Sequence, residues 1–198
     1  MLRTRRTRTI ALAITAWGCL LAGAAAPALA ACEQQPMTRA FLPFADPAHY
    51  WPAPGGDFER GLGGWTPQGD ATVVAGNEPF GITRGSSALR LGQGASVTSP
   101  PMCIDLAHPA FRFVSQPEGL GVLVAVLESR RDGGPWLEIL SLASPGVRGL
   151  PWAPALPHPL VGGLPIGRDG TAELRIRLTA AGAPWRVDSV MIDPYRRR

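Results

Sequence analysis

The side chains of this sequence that could carry out acid–base or nucleophilic chemistry are three histidines and 15 carboxylates. His49, His108 and His158 lie close to prolines or in segments of loop character, and none belongs to an HExxH, GxSxG or paired-cysteine metal spacing. With 15 acidic residues, some carboxylate pair is inevitable, so glycosidase chemistry does not follow from the acids alone. The sequence therefore gives little support for a catalytic site.

A second group of side chains could bind sugars by stacking. Sugar rings have apolar C–H faces, which suit flat aromatic side chains flanked by polar residues. Trp136 follows a turn and shares a predicted strand with Glu138, and the other candidates are Trp152, Tyr50 and Trp51. The alternative is that these rings simply cover a small protein core. The sequence leaves both interpretations open.

The first thirty residues have the pattern of a secretory signal peptide. A basic segment is followed by the apolar run from Ile10 to Leu21 and by an A-x-A cleavage site at Ala28-Leu29-Ala30. The apolar run is too short to favour a membrane-spanning helix. We expect residues 1–30 to be removed and the protein to be secreted.

Removal of the signal changes the charge balance. All basic residues are arginines, and the part after residue 30 contains 15 of them against 15 acids. Arg196 to Arg198 form a small basic tail, and elsewhere the two signs are interspersed. Binding of nucleic acid requires a basic patch that neutralises phosphates. We therefore expect no nucleic-acid partner.

Two cysteines, Cys32 and Cys103, remain after the signal. In an exported chain such a pair predicts a disulfide, which over so long a loop stabilises by roughly 3–5 kcal/mol. Leu29-Ala30-Ala31-Cys32 also has the form of a bacterial lipoprotein box, in which Cys32 would carry a lipid anchor. That alternative leaves Cys103 unpaired, so we favour the disulfide.

The remaining chain divides into an arm, a domain and a tail. Residues 31–55 are rich in proline without helical or strand period, and we expect this arm to wrap the domain and bury its aromatic residues singly. Residues 56–195 consist of about nine short apolar runs separated by Gly- and Pro-rich turns. This pattern predicts an all-β protein, an antiparallel β-sandwich of jelly-roll type.

Two strands are especially clear. Residues 172–178 alternate apolar and charged side chains, so Glu173, Arg175 and Arg177 should share one face of the sheet. Residues 185–192 form the last strand, and a register shift near Asp188 lets apolar residues on both sides of it face inward. Residues 144–170 predict a long connection with one short edge strand, packed onto the sheet or, alternatively, forming a lid.

Three segments resemble landmarks of a known family. Gly56-Asp57-Phe58-Glu59-Arg60-Gly61-Leu62-Gly63-Gly64-Trp65, Gly85-Ser86-Ser87-Ala88-Leu89-Arg90-Leu91 and Trp185-Arg186-Val187-Asp188-Ser189-Val190-Met191-Ile192 follow one another as in jelly-roll, galactose-binding-like carbohydrate-binding modules. The resemblance covers roughly residues 55–193. It implies the jelly-roll fold, a core position for Trp65 and Trp185, and a non-catalytic binding function.

The chain is also similar to a group of exported proteins from high-GC bacteria. The shared features include Asp46-Pro47-Ala48-His49-Tyr50, Gly76-Asn77-Glu78-Pro79-Phe80, the two cysteines and a closing Asp193-Pro194-Tyr195. This resemblance implies export and the same fold, and it carries no activity.

The carbohydrate-binding-module resemblance also implies a structural calcium site where the domain ends meet. Carried over, it makes Glu59 and Asp188 carboxylate ligands, with backbone carbonyls near Asp57 and Ser86 as further ligands. Calcium takes six to eight oxygens, so such a set is chemically reasonable. Ser189 stands where the family has a second acid, which weakens the match. The alternative is an ordinary ion pair of either carboxylate with a nearby arginine.

Three functions follow as hypotheses. The first is a secreted, non-catalytic module that binds a polysaccharide or cell-surface glycan through some of Trp136, Trp152, Tyr50 and Trp51, with a structural Ca²⁺. The second is a structural or interaction protein of the cell envelope. The third is a small secreted hydrolase, which requires two carboxylates about 5–10 Å apart across a cleft. The sequence predicts no oligomeric state.

Overall fold

The computed structural model describes most of the chain beyond the signal region. The predicted signal peptide, His108, part of the long connection and the basic tail lie outside the described residues. No helix in the described part is long and apolar enough to cross a membrane. The described residues are Cys32 and residues 35–105, 110–159, 167–168 and 170–193.

The described chain is all-β apart from one short 3₁₀ turn, Leu42–Phe44. This confirms the predicted fold class, and the extra strands beyond the predicted nine are short pieces at the sheet edges. The strands are β1 (Trp51–Pro52), β2 (Thr66–Gln68), β3 (Ala71–Ala75), β4 (Ser87–Leu91), β5 (Ser96–Thr98), β6 (Met102–Asp105), β7 (Ala110–Pro117), β8 (Gly121–Arg130), β9 (Leu137–Gly146), β10 (Ala153–Pro154), β11 (His158–Pro159), β12 (Thr171–Ala181) and β13 (Trp185–Asp193).

The strands form two antiparallel sheets. The seven-stranded sheet has the order β10-β7-β13-β4-β3, with β1 paired to β13 and β11 to β7. The six-stranded sheet has the order β2-β5-β12-β8-β9, with β6 paired to β12. The two sheets pack face to face, and one continuous apolar cluster drawn from both fills the space between them.

The alternation predicted for β12 is present. Leu174 and Ile176 are fully buried between the sheets, whereas Glu173, Arg175 and Arg177 are half-buried on the outer face of the six-stranded sheet. Because side chains alternate across a strand, a single apolar-polar pattern determines both the core face and the charged face.

The predicted irregularity of the last strand is also present. The pairing of β13 with β7 shifts register between Asp188 and Met191, and Ser189 adopts φ of 51°. As a result Val187 and Val190 are both fully buried in the core cluster. The bulge therefore keeps two apolar side chains inward and turns Asp188 into a buried polar position.

The stretch Asp57–Trp65 is architectural, as the resemblance implied. Phe58 and Trp65 are buried in the core with ring centroids 5.5 Å apart, and the indole Nε1 of Trp65 donates to the carbonyl of Pro54 at 2.8 Å. The turn requires glycine, since a Cβ at Gly55 would lie 2.4 Å from the carbonyl oxygen of Gly63.

The arm covers the outer face of the seven-stranded sheet. Phe41 and Tyr50 pack with Val114 and Met191 of that sheet in a second, smaller apolar cluster. Thr38 and Tyr50 form an isolated bridge that closes the arm on itself. The arm therefore wraps this face as expected, but it buries its aromatic side chains together and not singly, with the Phe41 and Tyr50 ring centroids 4.9 Å apart.

Candidate functional site

The outer face of the six-stranded sheet carries an aromatic ring held by two cations. Trp136 directly precedes β9, and the guanidinium carbons of Arg130 and Arg175 lie 4.5 and 4.3 Å from the centroid of its ring. The ring is half-buried. A guanidinium over an indole face contributes roughly 0.5–1 kcal/mol at such a partly exposed position, so the ring has a defined orientation.

Strand register sets the ion pairs that surround this ring. Arg130 lies opposite Glu173 and Glu128 opposite Arg175 on the paired strands β8 and β12. The Nε atoms of the two arginines donate to the opposite carboxylates, at 2.5 Å for Arg130 and 2.6 Å for Arg175, and Arg177 lies 3.7 Å from Glu128. Side chains of opposite charge that face each other on neighbouring strands stabilise a sheet, and each holds the other in place.

The result is a neutral, polar platform. Arg130, Arg175 and Arg177 are balanced by Glu128, Glu173 and Glu138, the last of which lies opposite Glu128 on β9. The guanidinium and carboxylate groups can donate to and accept from hydroxyl groups, and Trp136 supplies an apolar surface beside them. We call these seven residues the platform. Its chemistry suits a neutral polyhydroxyl ligand.

The other predicted sugar-binding residues lie elsewhere. Tyr50 is 1% exposed and Trp51 is 6% exposed, so neither ring is available at the surface. Trp152 is half-buried and packs against the small cluster of the arm, on the opposite sheet from Trp136. The structure therefore does not bring the four aromatic residues together, and Tyr50 and Trp51 serve the core.

Tyr50 is fixed by a buried charge cluster. The side chain of Arg112 on β7 pairs with Asp46 at 2.6 Å, donates to the carbonyl of Ala155 at 2.8 Å and lies 4.2 Å from the centroid of Phe41. The hydroxyl of Tyr50 donates to Asp46 at 2.7 Å. Burial raises the pKa of Asp46, but the hydrogen bonds from Tyr50 and Arg112 outweigh it and lower that pKa overall. This cluster locks the arm to the sheet.

Glu59, one of the predicted calcium ligands, has backbone partners. Its Oε1 accepts from the amides of Ser86 and Ser87 at 3.0 and 2.8 Å, and its Oε2 also accepts from Ser86 at 3.0 Å. The approach requires Gly85, because a Cβ there would lie 2.1 Å from the carboxyl carbon of Glu59. Glu59 therefore joins the opening stretch to the start of β4.

Asp188, the second predicted ligand, is fully buried and joins an acid that the sequence analysis missed. Its carboxylate accepts from the amides of Glu78 and Ser189. Glu78 is 2% exposed and accepts from the amides of Phe80 and Ile82, both at 2.5 Å. Burial raises the pKa of Asp188 to about 7, and the negative charges of Glu78 and Glu59 add to the rise.

One feature of the sequence could have identified Glu78 as an acceptor for loop amides. It is an acid in a Gly-Asn-Glu-Pro turn, where the free amides of the loop need acceptors. Strand periodicity cannot show such a role, since Glu78 lies between strands.

The surroundings of Glu59 and Asp188 are relevant to the predicted calcium site. The described residues contain no group of three or more His, Cys, Asp or Glu side chains placed to hold a metal ion. Ser86 donates its amide to Glu59, and its carbonyl accepts from the amide of Gly76 at 2.8 Å. Asp57 is half-buried in the same turn. These acids anchor the backbone of the loops around them, and calcium binding stays a prediction.

The predicted disulfide between Cys32 and Cys103 is formed, with a Cα–Cα distance of 5.5 Å. Cys103 is on β6 of the six-stranded sheet, so the bridge ties the start of the arm to the sheet that the arm does not cover. The alternative lipid anchor would need the same Cys32 sulfur.

The two described histidines occupy structural positions. His158 on β11 lies 5.3 Å from Phe111 between ring centroids, and burial, together with the charge of Arg112, lowers its pKa. His49 is exposed and accepts from Nε of Arg39 at 3.4 Å. Neither histidine lies in the platform, and nothing in these contacts resembles nucleophile activation.

No protein-family model and no curated protein matches the sequence. Similar solved structures include several carbohydrate-binding modules and a bacteriophage tailspike domain. TmCBM61, in complex with beta-1,4-galactotriose, has a TM-score of 0.41 and 18% identity over 71% of this chain and 95% of that chain. CBM28, specific for non-crystalline cellulose, has a TM-score of 0.47 and 16% identity over 72% and 94%. The CBM22-1 xylan-binding domain of Paenibacillus barcinonensis Xyn10C gives the same four values.

Proposed function

We propose that this protein is a non-catalytic module that binds a neutral glycan across the platform of the six-stranded sheet. The observation that supports the proposal is Trp136, whose ring is contacted by the guanidinium groups of Arg130 and Arg175 beside Arg–Glu ion pairs. A sugar requires an apolar surface for its C–H face and hydrogen-bonding groups for its hydroxyls, and the platform offers both side by side.

The rigidity of the platform supports the proposal further. Binding costs roughly 0.5–1.5 kcal/mol for each long side chain that becomes immobilised. Here the arginines are already held by carboxylates on the neighbouring strand, and the indole is already held by the arginines. A ligand therefore meets groups that are ordered before it arrives.

The charge balance favours a neutral ligand. Three arginines face three glutamates on the platform, so a polyanion such as a polyuronate gains no net attraction there. We also propose that the protein is exported, since the Cys32–Cys103 disulfide persists in oxidising compartments.

Affinity precipitation with insoluble polysaccharides tests the function. Residues 31–198 are incubated with neutral polymers and with acidic ones, and the Trp136→Ala and Trp152→Ala variants are compared. We expect retention on at least one neutral polymer and a tenfold or larger loss of affinity for Trp136→Ala, roughly the contribution of a well-placed stacked ring.

Trp152→Ala is the matched control. It removes the same type of side chain, an indole that packs on the seven-stranded sheet. A loss of binding that follows from the removal of any partly buried tryptophan would therefore appear in both variants. Equal losses for the two variants, or no retention on any neutral polymer, contradict the proposal. Failure on every polymer would favour the interaction role in the cell envelope.

We keep structural calcium as a separate proposal. What supports it is the accumulation of negative charge at Glu59, Glu78 and Asp188, which a cation would relieve. Glu59 and Asp188 would supply the carboxylates, and Asp57 or backbone carbonyls the other oxygens. Added Ca²⁺ should raise the melting temperature of chelator-treated protein. An unchanged melting temperature at millimolar Ca²⁺ contradicts the proposal.

A further inference from the structure

Two neighbouring loops at one end of the sandwich carry exposed apolar side chains. The register of β8 and β9 places Gly121 opposite Gly146. Leu120 directly precedes the first of these glycines and Val147 directly follows the second, so both side chains leave the sheet at the same end. Leu120 is 79% exposed and Val147 is 47% exposed. Apolar side chains that are exposed as a group mark an interaction surface more often than scattered ones do.

The loop after β9 adds a third apolar side chain and a cation. The amide of Leu150 donates to the carbonyl of Val147 at 3.4 Å, which closes a four-residue turn. Gly149 adopts φ of 91° in this turn, a conformation that glycine adopts readily. The turn therefore returns Leu150, which is 44% exposed, to the side of Val147 and places Arg148 at its tip.

The three exposed side chains border one shallow groove. Leu120, Val147 and Leu150 line it together with Val122, Pro145 and two strand glycines, and its volume is about 370 Å³. Every residue of the lining is apolar or glycine. A sugar placed here would leave its hydroxyls without hydrogen-bond partners, so the groove does not extend the glycan site.

The groove and the platform lie at opposite ends of the same sheet. β8 begins at the groove with Gly121 and ends at the platform with Arg130. Ten residues of extended strand span roughly 30 Å. A partner bound at the groove therefore leaves Trp136 accessible.

The charge beside the groove is positive. Glu118, two residues before Leu120, accepts from Arg186 and Arg90 at 2.8 and 3.0 Å, so two cations surround this one acid. Arg148 is exposed and lines an adjoining polar pocket that shares Leu150 with the groove. Among the described residues, Arg148 pairs with no carboxylate.

Arg90 also pairs with Asp70 at 3.3 Å. Three arginines thus stand against two acids at this end of the described structure, and the cation without a partner is the one at the tip of the turn. The surface therefore combines exposed apolar side chains with an excess positive charge.

We propose that this end of the sandwich docks onto a bilayer that contains anionic phospholipid. Leu120, Val147 and Leu150 enter the boundary between headgroups and acyl chains, and the guanidinium of Arg148 pairs with a lipid phosphate. A long arginine side chain keeps its charge at the level of the headgroups while its apolar neighbours are buried. This activity is additional to glycan binding and does not depend on it.

The size of the surface favours a bilayer over a protein partner. A stable protein interface takes roughly 20 or more residues from each side, whereas this surface offers three apolar side chains and one free cation. A bilayer needs no complementary shape. Its affinity for a protein depends on the apolar area that becomes buried and on the attraction between cations and anionic lipids, and the groove supplies both.

Cosedimentation with sucrose-loaded vesicles tests the proposal. Residues 31–198 are mixed with phosphatidylcholine vesicles that contain about 30% phosphatidylglycerol, and with vesicles of phosphatidylcholine alone. We expect binding to the mixed vesicles at millimolar lipid and about fivefold weaker binding to phosphatidylcholine alone, the contribution of one arginine near an anionic surface. Raising the salt to about 0.5 M NaCl should remove most of that difference, because salt screens exposed charges.

Two variants and a matched control isolate the contacts. Leu120→Ser should weaken binding to both kinds of vesicle about tenfold, since one leucine side chain no longer leaves water. Leu156→Ser should bind like the unmodified protein, because Leu156 is 77% exposed but lies outside the groove, between β10 and β11. Arg148→Gln should weaken binding to the mixed vesicles about fivefold and leave binding to phosphatidylcholine unchanged. Urea unfolding checks that all three variants keep the stability of the unmodified protein.

The proposal is overturned if no protein sediments with the mixed vesicles at millimolar lipid, or if Leu120→Ser and Leu156→Ser bind equally well. Equal binding of Arg148→Gln and the unmodified protein to the mixed vesicles overturns the phosphate contact. A dimer in analytical ultracentrifugation that Leu120→Ser dissociates, without vesicle binding, would assign the groove to a second copy of the chain instead.

Vesicle binding and glycan binding fail independently. Trp136→Ala should retain vesicle binding, and Leu120→Ser should retain glycan binding. A loss of both activities in either variant would contradict the placement of the two surfaces at opposite ends of the sheet.

Discussion

The outer faces of the two sheets differ in what covers them. On the seven-stranded sheet, the arm covers the strands with Phe41 and Tyr50, and the Arg112 side chain beneath it is only 5% exposed. On the six-stranded sheet, the arginines of the platform stay partly exposed, with side-chain values of 28% for Arg130 and 30% for Arg175. One face is therefore covered by a second apolar cluster, and the charged side chains of the other stay partly exposed.

The difference shows that an arginine on a strand has no fixed role. Arg112 and Arg175 both alternate with apolar residues, and both contact an aromatic ring and a carboxylate. Arg112 is buried because the arm lies over it, so its ion pair with Asp46 cannot be replaced by water. Arg175 is partly exposed to water, so its pair with Glu128 contributes little to stability.

The largest effect should come from cutting the link between the arm and the six-stranded sheet. Cys32 and Cys103 are separated by 71 positions, and for a loop of that length a disulfide stabilises by about 4 kcal/mol in the chain-entropy model. The Cys32→Ser/Cys103→Ser variant should lose that amount in urea unfolding while retaining glycan binding. Reductant should shift the midpoint of the unmodified protein and leave the variant unchanged. Equal midpoints with and without reductant contradict the expectation.

The next effect compares the two arginines directly. Arg112→Ala leaves Asp46 without its cation and frees the carbonyl of Ala155, so the free energy of unfolding should fall by about 3 kcal/mol. Arg175→Ala removes a hydrated pair and should cost less than about 1 kcal/mol. Urea unfolding measures both variants. Similar losses for the two would mean that the faces do not differ as described.

A smaller effect is the pH dependence of the free energy of unfolding that arises on the covered face. Asp193 is 8% exposed beside the arm, and burial, together with the charge of Asp46, raises its pKa to about 6. The folded protein therefore holds this proton more tightly than the unfolded chain, and the free energy of unfolding falls as pH rises from about 4 to about 6. Asp193→Asn should make this decline shallower, leaving the part that the raised pKa of Asp188 contributes, and should add about 1 kcal/mol at pH 7.5.

Asp70→Asn serves as the control for that measurement, since the Asp70 side chain is 63% exposed. Its pH profile should follow that of the unmodified protein. A profile for Asp193→Asn that falls as steeply between pH 4 and 6 as that of the unmodified protein would contradict the expectation.

Much of the fold could be predicted because the apolar side chains that alternate along a strand are the ones that are buried in the core. The pattern of β12, the bulge near Asp188 and the core positions of Phe58 and Trp65 all follow from apolar spacing and from the family resemblance. Short edge strands such as β10 and β11 could not be predicted, since two residues carry no period.

The site was harder to predict because aromatic residues look alike in a sequence. Trp51 and Trp136 both lie near prolines, yet Trp51 is buried by pairing with the last strand and Trp136 is held at the surface by two arginines. That contrast depends on which sheet the arm covers. The opposed pairs around Trp136 depend likewise on the register between β8 and β12, which only the three-dimensional arrangement determines.

The central claim is that the ligand binds the uncovered sheet. Backbone amide chemical shifts should be recorded while an oligosaccharide of the best-retained neutral glycan is added. We predict that the largest changes fall on β8, β9 and β12 around Trp136, Arg130 and Arg175, with little change on β7 or the arm. Changes concentrated around Arg112 and Trp152, with the platform unaffected, would contradict the claim.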